Sequence, residues 1–293
     1  MKPSVSIITV NYKQPEVTTE LLDSLSKLSY PNLEVIVVDN DQQYDNSFLY
    51  RTRLPSVKVI NSKENLGFAG GNNLGIERAK GKYLFFVNND TEIENGVIES
   101  LLSVFETHQD VGAVSPVLKY FDAPEKIQFA GFTEINPYTG RNDLIQTVSG
   151  PAVESIPYFH GAAVMVSKDV IDQCGQMPEE YFLYYEELEW SRQIRLRGYQ
   201  LMVDKRVSVL HKESVTTGKN SPLKVYYQNR NRVHFMRKNK STWLFFIAFY
   251  LLISTPKNLL THLVKRESSH LKSLIKAFKD GLIKPKYGFQ PIG

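Results

Sequence analysis

The stretch Tyr83-Leu-Phe-Phe-Val-Asn-Asn-Asp90 restricts the architecture more than any other, because five consecutive aromatic or aliphatic residues give way to three polar, oxygen-bearing ones. An apolar run of that length without alternation fits a strand buried on both faces, as in the interior of a parallel sheet. Asn88, Asn89 and Asp90 then stand at its carboxyl end, where open α/β sheets bind their ligands. A carboxylate with amide oxygens beside it suits a hard divalent cation, which could in turn hold a phosphate. A strand followed by an Asn/Asp turn that caps the next helix is the plainer account of the same residues.

The pattern recurs. Val5–Val10 and Leu33–Val38 are similar runs, the first broken by Asn11-Tyr-Lys-Gln-Pro15 and the second ending in Asp39-Asn-Asp41. Between them Leu21, Leu22, Leu25 and Leu28 keep helical spacing, which gives βαβ order. Val57–Ile60 is a third short run, ending at Asn61, so four strand tips end in polar loops and could share one sheet edge. The glycine-rich turn from Asn65 to Gly75 leads into a helix that ends near Lys80-Gly81. Its spacing matches neither the dinucleotide fingerprint nor the P-loop, so a plain helix entry and a ligand loop both remain open.

Residues 95–107 read as a helix and 111–118 as a strand, whereas 119–158 show little periodicity and many turn residues, among them Pro124, Pro137, Gly140 and Pro157. A long irregular stretch inside a domain is usually functional or mobile. Strand character returns at His160–Val166, with small residues at its start. From Tyr181 to Arg197-Gly198 the chain reads as a helix with Glu186, Glu187 and Glu189 early and Arg192, Arg195 and Arg197 late. That order complements the helix dipole. Three acids behind Tyr184 and Tyr185 also describe a general base beside a sugar-stacking platform. A short strand, Val207–Leu210, delivers His211, by spacing alone a structural histidine as readily as a ligand.

At 293 residues the chain can form one large α/β domain, or one with an appendage. A single cysteine, Cys174, leaves no intramolecular disulfide and fits a reducing, cytoplasmic setting. The amino terminus reads as a first strand rather than a signal peptide. Charge is unevenly placed: residues 1–211 carry 19 Lys/Arg against 28 Asp/Glu, and residues 212–293 carry 16 against 3. The expected organisation is therefore a body over 1–215 and a basic helical region over 216–293, whose partner is a polyanionic surface. The aromatics there cluster with aliphatics, unlike a base-stacking platform, so an anionic membrane is expected and nucleic acid is not.

Ser221-Pro222 is a helix start, and the helix it opens carries Arg230, Arg232 and Arg237. Trp243–Ile253 is an apolar run of 11 residues, closed by Ser254-Thr-Pro256. At ~1.5 Å per residue it covers roughly half of a ~30 Å hydrocarbon core, so it is not expected to span. It reads as an interfacial helix or as a core helix with a solvated basic face.

Taken in order, Ser6-Ile-Ile-Thr-Val-Asn-Tyr12, Val37-Val-Asp-Asn40, Asn65-Leu-Gly-Phe-Ala-Gly-Gly-Asn-Asn73, Phe86-Val-Asn-Asn-Asp90, Gly161, Tyr181-Phe-Leu-Tyr-Tyr-Glu-Glu-Leu-Glu189 and His211 resemble the family 2 inverting glycosyltransferases, in particular their bacterial rhamnosyltransferase-like branch. The resemblance implies a GT-A fold, with a mostly parallel central sheet flanked by helices and a C-terminal helical extension. It also implies a nucleotide-diphosphate sugar donor, a divalent metal (Mg²⁺ or Mn²⁺), and a carbohydrate or lipid-linked acceptor in cell-surface polysaccharide synthesis at the cytoplasmic face of a membrane.

By the same resemblance Thr9 and Asn11 line the nucleotide site, Asp39 lies near the base or ribose, and Asn65, Gly67 and Asn89 belong to the donor pocket. Asn88 and Asp90 take the place of the Asp-X-Asp metal motif, completed by His211. Glu187 aligns with the catalytic base, with Glu186 as its rival, and Gly161, Tyr184 and Tyr185 fall on the acceptor side. Two positions depart from the family pattern: Asn88 stands where aspartate is common, and Glu187 where aspartate is usual. One charge fewer and a longer arm also fit an inactive nucleotide-sugar-binding or scaffold protein of a polysaccharide assembly complex.

Overall fold

The computed structural model describes residues 2–212, 221–238 and 241–282. The four amino-terminal apolar runs form β1 (Val5–Asn11), β2 (Leu33–Asp39), β3 (Lys58–Asn61) and β4 (Tyr83–Val87). They lie in the order β3-β2-β1-β4, all parallel. In register, Asn11 is beside Asp39 and Asp39 beside Asn61, so the polar tips do share one edge. Helices α1 (Pro15–Leu25), α2 (Ser47–Arg53) and α3 (Gly67–Arg78) connect them, and α1 buries Leu21, Leu22 and Leu25. All five side chains of β4 are buried, with Phe86 packed edge-on against Trp190 at 5.5 Å.

Beyond β4 come the two-residue β5 (Thr91–Glu92), α4 (Val97–Thr107), β6 (Val111–Tyr120), β7 (Ala123–Phe129), β8 (Val153–Ser155) and β9 (Ala163–Ser167). The sheet continues β4-β9-β6-β10-β5, with β10 at Gln200–His211. Along this order the sheet is mostly parallel, with β6 and β10 also paired parallel, but β9 enters antiparallel to both β4 and β6 and β5 antiparallel to β10. The strand that delivers His211 runs over 12 residues, far longer than 207–210. Its polar middle hid it: a bulge between Asp204 and Ser208 lets buried Asp204 accept from Ser100 Oγ at 2.6 Å and from Arg206 Nε at 2.8 Å. The irregular region from 119 to 158 is ordered by the β6–β7 pairing, by bridges Phe132–Leu144 and Asn136–Arg141, and by β8 against β10.

Helices α5 (Lys168–Cys174) and α6 (Glu186–Leu196) flank the sheet. Tyr181 ends a 3-10 turn, and Phe182 to Tyr185, expected as helix, are not helical: Phe182, Tyr184 and Tyr185 take left-handed backbone, with φ of 64°, 65° and 75°. The carboxyl-terminal part contains α7 (Pro222–Arg237), α8 (Trp243–Phe249), α9 (Thr255–Val264) and α10 (Ser268–Leu282). Ser221 Oγ accepts from Lys224 N at 3.2 Å and caps α7. Arg230 and Arg232 of α7 are buried, so its basic side chains are not simply a solvated face.

Helices α8 and α9 are one continuous helix, Trp243–Val264, of 22 residues, long and apolar enough to cross a membrane by length and composition. The apolar run closes at Ser254-Thr-Pro256, but the helix continues past it. The backbone opens into a π turn over Tyr250–Ser254, which gives the Pro256 ring room and lets the helix run on.

Candidate functional site

A cleft of about 440 Å³ opens at the carboxyl ends of β1 and β4. Its lining includes Asn65, Gly67, Asn88, Asn89, Asp90, Tyr184, Glu187 and His211, drawn from positions far apart in the chain.

On one side the end of β4 is tied down by its own backbone. Asn88 N donates to Ala162 O at 2.9 Å, Thr91 Oγ1 donates to Asn88 O at 2.7 Å, and Lys212 N donates to Asp90 O at 2.9 Å. The side-chain oxygens are left over: Asn88 Oδ1 and Asp90 Oδ1 are buried and find no hydrogen-bond donor among the described residues. His211 Nε2 stands 3.2 Å from Asp90 Oδ1, and its Nδ1 lies 2.7 Å from Gln128 Oε1. With Gln128 Oε1 accepting a hydrogen bond from Nδ1–H, the neutral ring turns the lone pair of Nε2 toward a carboxylate oxygen. Two acceptors at that distance call for a cation between or beside them, and a histidine fixed by a partner oxygen is how imidazole ligands are usually held. The donor set of one carboxylate, one amide oxygen and one imidazole therefore fits a divalent cation. Beside it, His160 is kept neutral: burial, then the nearby His211, lower its pKa to about 3.

On the other side stands Glu187, in the first turn of α6. Burial pushes its carboxyl up to about 7, and burial together with the charge of Glu187 raises Glu186 well above the usual carboxylate range. Glu187 lines the cleft; Glu186 is buried and is not among the lining residues. Gly161, which is not among the lining residues, lies against the stem of Glu187, since a Cβ there would stand 3.7 Å from Glu187 Cβ.

The left-handed loop ahead of Glu187 is held from α7. Arg230 Nη2 donates to Glu180 O at 2.7 Å and Tyr181 O at 3.0 Å, and Arg230 Nε to Asn231 Oδ1 at 2.8 Å. Asn231 Nδ2 reaches Tyr181 O, Leu183 O and Tyr184 O at 3.0, 2.8 and 2.6 Å. The loop also meets the glycine-rich turn: Phe68 N donates to Phe182 O at 2.8 Å. Gly67 has φ of +70°, and a Cβ on it would fall 2.4 Å from that same oxygen, so only glycine fits.

Not every expected residue reaches the cleft. Thr9, Asn11 and Asp39 are fully buried behind its wall. The Asp39 carboxylate is already satisfied, accepting from Asn11 Nδ2 at 2.8 Å, Asp41 N at 2.9 Å, Asn46 Nδ2 at 2.9 Å and Tyr50 OH at 3.0 Å. Tyr185, turned by its positive φ, points its hydroxyl to Gly140 O at 3.4 Å and packs on Phe235, leaving Tyr184 to face the cleft. Conversely, the cleft includes residues not singled out from sequence: Gln128, His160, and Leu223, Lys224 and Gln228 of α7. Lys224 is the one lysine or arginine among the described lining residues, and only its place behind the Ser221-Pro222 helix start could have flagged it.

The model of the family described as "Glycosyl transferase family 2" matches residues 6–175. Among curated proteins, the low-salt glycan biosynthesis hexosyltransferase Agl10 of Haloferax volcanii is 26% identical over 79% of this chain and 75% of its own length. The dTDP-rhamnosyl transferase RfbF of Shigella flexneri is 26% identical over 96% of both chains. An N-acetylglucosaminyl-diphospho-decaprenol L-rhamnosyltransferase of Mycobacterium tuberculosis is 20% identical over 83% of this chain and 87% of its own. Among solved structures, the mannosyltransferase PcManGT of Pyrobaculum calidifontis, in complex with GDP-Man and Mn²⁺, superposes with a TM-score of 0.59 at 16% identity, covering 98% of this chain and 89% of that one. GalNAc-T7 with UDP, GalNAc and Mn²⁺ gives 0.63 at 13% identity, covering 86% of this chain and 56% of that one. These likenesses are of fold, and the fold is GT-A.

Proposed function

The chain belongs to glycosyl transferase family 2, and from that premise we propose that it moves a sugar from a nucleotide-diphosphate donor to a carbohydrate or lipid-linked acceptor, with inversion, in cell-surface polysaccharide synthesis. The observation that carries this reading is the pairing, in one cleft, of a buried and unsatisfied Asp90 Oδ1 facing His211 Nε2 with a carboxyl, Glu187, poised near neutrality.

Asp90, Asn88 and His211 would hold Mg²⁺ or Mn²⁺, which when bound supplies positive charge to the departing diphosphate. Lys224 adds a fixed charge of the same sign from α7. Asn65, Gly67 and Asn89 shape the donor pocket, and the network of Thr9, Asn11 and Asp39 supports its nucleotide end from behind. Glu187 takes the proton from the acceptor hydroxyl as that oxygen attacks the anomeric carbon from the face opposite the leaving group. A base near pH 7 both accepts the proton and stays ionised enough to do so. Gly161 and Tyr184 leave the approach to Glu187 open on the acceptor side. Residues 1–215 form the transferase body and residues 216–293 carry it to the cytoplasmic face of an anionic membrane, with α7 common to both tasks.

The test is release of nucleoside diphosphate from a donor panel, beginning with dTDP-rhamnose because RfbF is named for it, with Mn²⁺ and with glycan and lipid acceptors. Turnover by the wild type and its loss in Glu187→Gln support the reading. Donor-dependent thermal stabilisation in both forms without turnover in either would leave a nucleotide-sugar-binding scaffold in its place.

A further inference from the structure

The helical hairpin formed by Trp243–Val264 and α10 has two unlike faces. Its inner face belongs to the body. Phe246, Tyr250 and Ser254 are buried, at helical spacing, and Tyr250 OH donates to Asn229 Oδ1 of α7 at 3.3 Å. Arg232 of α7 donates through Nη1 to Ser254 Oγ at 3.2 Å and through Nε to Thr139 O at 2.9 Å. Its guanidinium lies 5.4 Å from the Tyr250 ring and 5.7 Å from that of Phe246. The outer face has no partner among the described residues. Leu244, Leu252, Ile253, Leu260, Leu263 and Val264 are exposed, from 57% at Ile253 to 76% at Leu244 and Leu252, and α9 buries none of its residues.

Charge says what covers that face. Lys257, Lys265, Arg266, Lys272 and Lys279 are exposed on the same hairpin. The two acids of residues 241–282 are turned elsewhere: Glu267 to His262 at 2.7 Å, and Asp280 to Tyr226 at 2.6 Å and Lys276 at 2.9 Å. An exposed apolar ridge on a hairpin whose exposed cations outnumber its acids matches the boundary between acyl chains and anionic headgroups. Length alone would allow the helix to span. A spanning helix, however, is ringed by lipid, and this one is bonded along one side to α7, beside a buried arginine that hydrocarbon would have to solvate.

We infer that the hairpin is a monotopic membrane anchor: Trp243–Val264 lies in the interface of an anionic leaflet, outer face down, and does not cross it. The anchor reaches the active site through α7, which on its other sides holds the loop ahead of Glu187 and lines the cleft with Lys224. This rests on the reading of the cleft as one that takes an acceptor delivered at a membrane. Binding is measured without turnover, so the two fail separately.

The test uses the full chain and flotation with vesicles of phosphatidylcholine alone or with roughly one-third phosphatidylglycerol. Of the two tryptophans, Trp190 is fully buried, so Trp243 reports lipid contact by a blue shift and by quenching from brominated acyl chains. The expected results are flotation only with the anionic vesicles, quenching of Trp243, release by alkaline carbonate, and at least a tenfold loss of binding in Leu252→Glu/Leu260→Glu. A cooperative thermal melt at the wild-type temperature shows that the body of that variant is folded. Equal binding by the double variant overturns the assignment of the surface. Retention through carbonate overturns the interfacial placement in favour of a span. A dimer that the double variant dissolves, with no vesicle binding, overturns the lipid in favour of a second copy of the chain.

Discussion

Asn231, deep in α7, donates its side-chain amide to the main-chain oxygen of Tyr184 at 2.6 Å, three residues ahead of Glu187. Three left-handed, non-glycine residues in four positions cost about 1–3 kcal/mol each unless their surroundings hold them. Here the surroundings include one asparagine and one arginine, contributed from 47 to 50 residues further along the chain in a helix that sequence alone places in an appendage.

Asn231 is therefore expected to act as a positioning residue. Asn231→Ala should lower kcat about 10- to 100-fold by loosening the placement of Glu187. The affinity for nucleoside diphosphate should change less than about threefold, because the donor side is built by β1, β4 and the Gly67 turn. Isothermal titration beside steady-state kinetics checks the split. A parallel loss of diphosphate binding would mean that the substitution acts by unfolding.

The pH profile follows from Glu187. With its carboxyl pushed up to about 7, the base is protonated in acid, so kcat should rise with pH through about 7 and then level off. An acid limb centred near the ordinary value of ~4.3 would remove Glu187 from the role.

Stability should run the opposite way. A carboxyl whose folded pKa lies above its unfolded one favours the folded state fully below about 4.5, and that contribution is lost as pH rises through about 7. Glu187→Gln should then match the wild type near pH 4.5 and exceed it by about 3 kcal/mol at pH 8, while turnover falls by about 10²- to 10⁴-fold. Thermal melts at the two pH values measure this directly.

At the metal-binding end, Gln128→Ala frees the His211 ring and should weaken Mn²⁺ affinity by about 10- to 100-fold. Asn88→Asp restores a second carboxylate and should tighten it. Manganese titration followed by water-proton relaxation reads both without requiring activity.

Gly67→Ala should destabilise the chain by about 1–3 kcal/mol, since it places a methyl group against Phe182 O at a φ of +70°. Because the strain falls on the contact between the donor turn and the Glu187 loop, both donor affinity and kcat should drop.

Much of this site can be read from order along the chain. Asn88, Asn89 and Asp90 end a buried run, and a run of that kind needs no distant partner to be recognised. Asn65 and Gly67 announce themselves by glycine content, and Glu187 by its place in a string of acids. Gln128 and Lys224 carry no such local mark. Asp39 and Asp90 both end apolar runs, but Asn46 and Tyr50 fold back to donate to one carboxylate, whereas the group that faces Oδ1 of the other is the His211 ring.

The sequence by itself determined the parallel β1–β4 core, the edge on which its polar tips meet, and the family, because strand burial and tip chemistry are written in consecutive residues. Tertiary structure alone decided the mixed wider half of the sheet, the left-handed approach to Glu187, the burial of Arg230 and Arg232, and the passage of a helix through Pro256. Each of those is a bargain between groups far apart in the chain. A backbone angle, a buried cation or a widened helical turn is tolerable only when the atoms that compensate it have already been brought alongside, and no local pattern of residue types records that they will be.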